Sequence, residues 1–84
     1  MVTLHRAPAW KIEVYGRDHG VPHFHVEGSG WRCSVAIATL EVIIGTYDPR
    51  SLAAAIAWAS GRQPELLDVW NELNPLWASN NNLN

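Results

Sequence analysis

Apolar and polar residues alternate along three stretches of the chain, with the period of two that is typical of β-strands. These stretches predict strands over about Trp10–Tyr15, His23–Glu27 and Trp31–Ala38, and the apolar run "EVIIG" at 41–45 predicts a fourth, shorter strand. The segment "GRDHGVP" carries turn residues throughout, and "GSG" is a typical hairpin connection. The first half of the chain is therefore expected to form an antiparallel sheet.

The pattern changes to a helical period in "YDPRSLAAAIAWASG". Asp48 can cap the first turn of this helix, Pro49 suits its first position, and Gly61 suits a left-handed residue after its end. A second helix is expected to begin at "QPEL", with the apolar stripe Leu66, Trp70, Leu73 and Trp77. Pro75 should kink or end that helix.

Strands followed by helices indicate an α+β fold, here ββββαα, with both helices packed on one face of the sheet. The apolar sides of the strands would meet the apolar stripes of the helices. The opposite face would stay uncovered and would carry mostly polar side chains, namely Lys11, Glu13, Tyr15, His23, His25, Glu27, Arg32 and Ser34. Such a face is where a ligand or a partner could dock.

The chain of 84 residues fits one domain, expected over 1–77, followed by a disordered polar tail at 78–84. The formal net charge is −2 with no basic stripe, which disfavours strong nucleic-acid binding. No signal peptide and no apolar run of about 20 residues is present, so no membrane segment is expected. The single cysteine, Cys33, excludes an intramolecular disulfide and a cysteine-built zinc site, predicts a buried thiol and suits a reducing cytoplasm.

Three of the four histidines lie within the segment "RDHGVPHFHVEG". Strand alternation places His23 and His25 on the same face, about 7 Å apart along the strand, where two imidazoles can share one metal ion such as zinc. The third ligand would be His19 or Asp18, brought back by the turn, with Glu27 or Glu13 in support. No fixed-spacing metal motif such as H-E-x-x-H accompanies the cluster.

Two other interpretations of the same histidines stay open. His19, His23 and His25 could act in a small hydrolase or nuclease, either with a metal ion or by general acid–base chemistry. In the latter case Asp18 or Glu27 would orient a ring, and Tyr15 or Arg17 would stabilise negative charge. Alternatively Asp18 and His19 cap a turn, and His23 and His25 are polar residues on the solvated face.

The segment "DHGVPHFHVEG" resembles the D-H-x-P-P-H-[FV]-H segment of the bacterial "domain of unknown function 4160" family, with Val21 in place of the first proline. The likeness continues through "ATLEVIIGTYDPRSLAAAIAWASGRQPELLDVW" and covers about Trp10 to Trp70. By position it carries over Asp18, His19, Pro22, His23 and His25, none with a transferable catalytic role.

The resemblance implies a bacterial, cytoplasmic protein whose partner is a small protein encoded by a neighbouring gene, as in toxin–antitoxin pairs. We therefore expect a partner-binding component of a two-gene module. The expected contact surface is the open face and the histidine turn, through Tyr15, Arg17, His23, His25, Glu27 and Arg32. An exposed edge strand is a second candidate, for a partner or for homo-oligomerisation.

Overall fold

A computed structural model describes residues 1–75 of the chain. It contains one antiparallel sheet in the order β1-β2-β3-β4-β5, followed by two helices. The elements are β1 (Val2–Arg6), β2 (Trp10–Val14), β3 (His23–Gly28), β4 (Trp31–Ala36), β5 (Val42–Gly45), α1 (Pro49–Ser60) and α2 (Gln63–Leu73). The α+β prediction is confirmed, but the count of four strands is wrong because β1 precedes them.

The additional strand, β1, was not predicted, and its pairing with β2 contains a β-bulge. Thr3 pairs with Glu13 and His5 pairs with Ile12, so the register shifts at Leu4. Directly opposed residues share a sheet face, so the shift places His5 on the side of Ile12, where Leu4 also packs against the core. The bulge therefore places two successive residues on one side of the strand, although residues 2–5 alternate between apolar and polar types in the sequence.

The core lies between the two helices and one face of the sheet, as the apolar pattern predicts. The sheet contributes Ile12, Val14, Phe24, Val26, Cys33 and Val35, and the helices contribute Ala55, Ala59, Leu66 and Trp70. The expected burial of the Cys33 thiol is confirmed. Among residues 1–75, no helix is both long and apolar enough to cross a membrane.

The helix boundaries follow the expected signals with one exception. The Asp48 carboxylate accepts a hydrogen bond of 2.9 Å from the backbone N–H of Ser51, and Pro49 opens α1. Gly61 has φ of −94°, so it is not the left-handed residue that its position suggested. The α2 helix ends at Leu73, before Pro75, whereas Trp77 and the predicted tail at 78–84 lie outside the described residues.

The sheet face opposite the core is less exposed than its polar sequence suggests. Glu13 is 1% exposed, and His23 and Ser34 are also buried. Lys11, Tyr15 and Thr3 surround the Glu13 carboxylate, at 3.4, 3.2 and 3.4 Å from its oxygens. The predicted open face is therefore only partly solvated, because side chains at the middle of the sheet bury one another.

Candidate metal centre

The loop between β2 and β3 returns Asp18 to the start of β3, where it meets two histidines. One carboxylate oxygen, Oδ2 of Asp18, lies 2.9 Å from Nε2 of His23 and 3.4 Å from Nε2 of His25. One possible ligand atom from each of the three residues falls within 4.8 Å of the other two. The convergence required for a metal or catalytic site is present.

The position of Asp18 is fixed by the end of α2, 56 residues later in the chain. The buried Asn74 side chain accepts a hydrogen bond of 2.9 Å from the backbone N–H of Asp18. Its amide nitrogen donates to the carbonyl oxygens of Tyr15, at 3.2 Å, and Trp70, at 3.0 Å. Within the loop, Arg17 adopts a positive φ of 56°, which turns the chain toward this anchor.

His23 is buried at the start of β3, with its ring 4.9 Å from that of Trp70. Its Nδ1 lies 2.8 Å from the carbonyl oxygen of Val21. A carbonyl oxygen only accepts hydrogen bonds, so Nδ1 must carry the proton. The other nitrogen, Nε2, is thereby directed at the Asp18 carboxylate.

His25 is half-buried and is held from both sides. Its Nδ1 lies 3.3 Å from Oγ of Ser34 on β4, and its ring packs against the edges of two neighbouring rings. The ring centroids of Tyr15 and His23 are 4.8 and 5.1 Å away. These contacts fix the direction of Nε2 toward Asp18.

The protonation of the site follows from these contacts. Burial lowers the pKa of His25, against the hydrogen bond to Asp18 that raises it, and so favours the neutral ring. Burial alone would raise the pKa of Asp18, but the hydrogen bond to His25, the electrostatic interaction with His23 and the N–H of His19 lower it below its ordinary value. Asp18 is thus an ionised carboxylate, and it faces the imidazole of His25, whose neutral form is favoured.

The structure distinguishes between the candidate ligands. Asp18, His23 and His25 come together, whereas the exposed His19 only donates its backbone N–H to Asp18, at 3.0 Å. That bond is the turn cap that the sequence suggested for Asp18. Neither Glu13 nor Glu27 is among the converging residues, and Lys11 lies 3.4 and 3.2 Å from their carboxylate oxygens.

The remaining predicted surface residues lie around this centre. Arg17 and Arg32 are exposed and Tyr15 is half-buried. The interpretation of His23 as a residue of the solvated face is wrong, because the loop and Trp70 cover it. Its burial leaves little of its surface for contact with a partner.

Two residues that hold the ligands in place, Asn74 and Ser34, were missed as part of the site. Ser34 could have been found, since strand pairing sets it directly opposite His25. Asn74 gives no such signal, because its role depends on how the end of α2 docks against the loop.

Of three comparisons with known proteins, one gave a match. The model of the domain of unknown function DUF4160 matches residues 10–71. Neither the curated proteins nor the solved structures gave a match. The matched region runs from β2 almost to the end of α2 and includes all three converging residues, and on this match the chain belongs to the DUF4160 family.

Proposed function

We propose that the protein binds one divalent metal ion, zinc or a similar ion, through Asp18, His23 and His25, and that this ion activates water for hydrolysis. The observation that carries the proposal is the shared orientation of the two rings. Both Nε2 atoms point at one carboxylate oxygen, while both Nδ1 atoms are held by oxygens of Val21 and Ser34.

The distances suit coordination. Zinc forms bonds of about 2.0–2.2 Å to histidine nitrogen and carboxylate oxygen, so neighbouring ligand atoms of a tetrahedral site lie roughly 3.3 Å apart. The separations of 2.9 and 3.4 Å between Asp18 and the two rings bracket that value. The three ligand atoms lie within 4.8 Å of one another, so the most widely spaced pair would have to move closer together to share one ion.

The hydrogen bonds around the rings support the same conclusion. With the proton of His23 on Nδ1, a neutral ring presents the lone pair of Nε2 to a carboxylate oxygen 2.9 Å away. Two lone pairs repel at that distance, so a cation must lie between them, either a proton or a metal ion. Metal-binding histidines characteristically donate their other N–H to a backbone carbonyl, as His23 does to Val21.

Three protein ligands leave a fourth position for water. A zinc ion lowers the pKa of bound water to about 7, which supplies hydroxide at neutral pH. In hydrolysis such a hydroxide would bond to the carbon or phosphorus under attack while the bond to the leaving group breaks, and the leaving group would take a proton from solvent. Asp18, His23 and His25 would hold the ion, and this is the hydrolase alternative with Asp18 in the place first considered for His19.

The test is metal binding by the purified protein, measured by elemental analysis, zinc titration and the visible spectrum of the cobalt(II) form. We expect one ion per chain and a tetrahedral cobalt spectrum. His25→Ala should weaken binding by at least about 100-fold, more than the 10- to 100-fold typical of losing an outer partner. His19→Ala is the matched control, because His19 lies in the same loop but outside the cluster.

Wild-type protein with no affinity for zinc or cobalt would refute the proposal. Equal weakening by His19→Ala and His25→Ala would also refute it, because the cluster would then not be the site. Thermal unfolding separates a folding defect from ligand loss. Zinc at 100 times the wild-type dissociation constant should stabilise wild type and His19→Ala by about 2.7 kcal/mol, and folded His25→Ala by no more than about 0.4 kcal/mol.

We propose partner binding through β5 as a second candidate function. Ile43 and Ile44 on this edge strand are 50% and 70% exposed, and Val42–Gly45 contains none of the lysines or prolines that usually protect an edge. An extended strand of a small protein encoded by a neighbouring gene, which the family resemblance implies, could add to the sheet there.

Co-expression with the neighbouring gene's product tests this second candidate. Ile44→Lys should abolish the complex, and Leu67→Lys, at an exposed apolar residue of α2, is the control. A complex that survives Ile44→Lys, or no complex at all, would contradict it. A dimer of this chain that Ile44→Lys dissociates would instead assign the edge to self-association.

A further inference from the structure

We infer that the proposed metal centre binds a phosphate monoester group, with Arg32 as the residue that holds its outer oxygens. The inference rests on the proposed function and names the substrate class of the same site. The guanidinium of Arg32 crosses the sheet face beside His25 to lie over the ring of Tyr15, with its carbon 5.0 Å from the ring centroid.

The strand register places this cation next to the centre. Arg32 lies opposite Glu27, two residues from His25 on β3, so Arg32 and His25 are diagonal neighbours on one face. Such neighbours are about 7–8 Å apart, within reach of a long side chain. The Tyr15 ring contacts both the His25 ring and the Arg32 guanidinium, so the guanidinium extends toward the side of the sheet where His25 lies.

Arg32 is available for an anion. It is exposed, and no carboxylate within residues 1–75 forms an ion pair with it. Glu27, the nearest candidate by register, is bound by Lys11 at 3.2 Å. The tyrosine ring restricts the guanidinium without consuming its five N–H donors, so its fork stays free.

A tetrahedral anion could join the proposed metal ion and the Arg32 guanidinium. A phosphate that coordinates a metal by one oxygen and accepts from a guanidinium through another spans roughly 7 Å. A metal ion with an arginine is a recurrent clamp for phosphoryl groups. The net charge of −2 and the two arginines near the centre, Arg17 and Arg32, do not suit a long nucleic-acid backbone, so a terminal monoester is the better fit.

Cobalt(II)-loaded protein tests the inference, with inorganic phosphate as the probe and acetate as the carboxylate comparison. Phosphate should change the cobalt spectrum at saturable concentrations, and acetate should need much higher ones. Arg32→Gln should weaken phosphate binding about 10- to 100-fold, the loss expected for hydrogen bonds to a charged group, while the spectrum without phosphate stays the same.

Two further variants separate binding from general surface charge. Arg50→Gln, on α1 away from this face, should bind phosphate as wild type does. Tyr15→Leu, which removes the ring beneath the guanidinium, should weaken phosphate binding, whereas Tyr15→Phe should restore it. Phosphate binding that is unchanged in Arg32→Gln, or equally weakened in Arg50→Gln, would overturn the inference.

The outcomes distinguish the two proposals. Failure to bind cobalt would refute the metal centre itself. A normal cobalt spectrum that phosphate does not alter, or that acetate alters equally well, would refute only the phosphate assignment. A phosphate monoester such as p-nitrophenyl phosphate then serves as the substrate for measuring hydrolysis.

Discussion

Asn74→Ala should both destabilise the fold and weaken metal binding, although Asn74 touches none of the proposed imidazole ligands. Asn74 is 4% exposed and its side chain makes three hydrogen bonds, to the N–H of Asp18 and the carbonyls of Tyr15 and Trp70. The substitution removes all three. It also frees the loop that carries Asp18.

The size of the effect follows from the number of bonds. Each hydrogen bond contributes about 0.5–1.5 kcal/mol net, and more where a buried partner is left unpaired. The Trp70 carbonyl keeps the backbone N–H of Asn74 as a donor, at 2.9 Å, which limits its share. We therefore expect a loss of about 2–4 kcal/mol in the free energy of unfolding, or roughly 10–25 °C in Tm for a domain of this size.

Urea denaturation gives the stability, and zinc or cobalt titration below the melting temperature gives the affinity. Asn71→Ala is the control, because it makes the same change at an exposed position of α2. A stability loss below about 1 kcal/mol would show that the anchor is not a buried network. Affinity equal to wild type in folded Asn74→Ala would show that Asp18 needs no anchor.

Three other predictions concern the sheet and core. Leu66→Ala should cost about 2–5 kcal/mol by urea denaturation, because Leu66 is fully buried, and Leu67→Ala at an exposed neighbour should cost much less. Gly45→Ala should destabilise the β4–β5 pair, because φ is +105° and the added Cβ would lie 2.3 Å from the Arg32 carbonyl oxygen; a neutral urea midpoint would contradict this. Burial raises the pKa of the Cys33 thiol, so on raising the pH the thiol ionises in the unfolded state before it does in the folded state. The free energy of unfolding should therefore fall as the pH rises above the ordinary pKa of a thiol. Cys33→Ala should lack this part of the alkaline dependence.

The parts of the fold that the sequence predicted are those set by local pattern. The alternation in β2, β3 and β4 and the Asp48–Pro49 helix start depend on neighbours in sequence, and the structure confirms them. The β1 strand was missed although residues 2–5 alternate between apolar and polar types, because this alternation covers only four residues. The burial of Glu13 was missed because it depends on side chains from β1 and β2 closing over one position.

In the candidate site, too, the sequence predicted what local pattern determines and missed what depends on distant parts of the chain. Strand alternation was sufficient to direct His23 and His25 to one side, and the structure confirms that they meet. It could not choose between Asp18 and His19 as the third member, because both lie in a loop. That choice depends on the positive φ of Arg17 and on Asn74, which reaches the loop from the far end of the described chain.

Because Asn74 holds Asp18 in position, the proposed metal site is coupled to the docking of α2 against the loop. Hydrogen exchange can measure this coupling. The amide of Asp18 is bonded to Asn74, so it exchanges only when the loop separates from the end of α2. An ion held by Asp18 and the two β3 histidines binds the closed form of the loop and not the open form. It should therefore slow exchange through that opening by the factor by which it stabilises the closed form. Zinc should therefore slow exchange at Asp18 in wild type and not in His25→Ala. The α1 amide of Ser51, bonded to Asp48, should gain less protection, because its local opening leaves the ligands in place. Equal protection at both amides would indicate that the ion stabilises only the global fold.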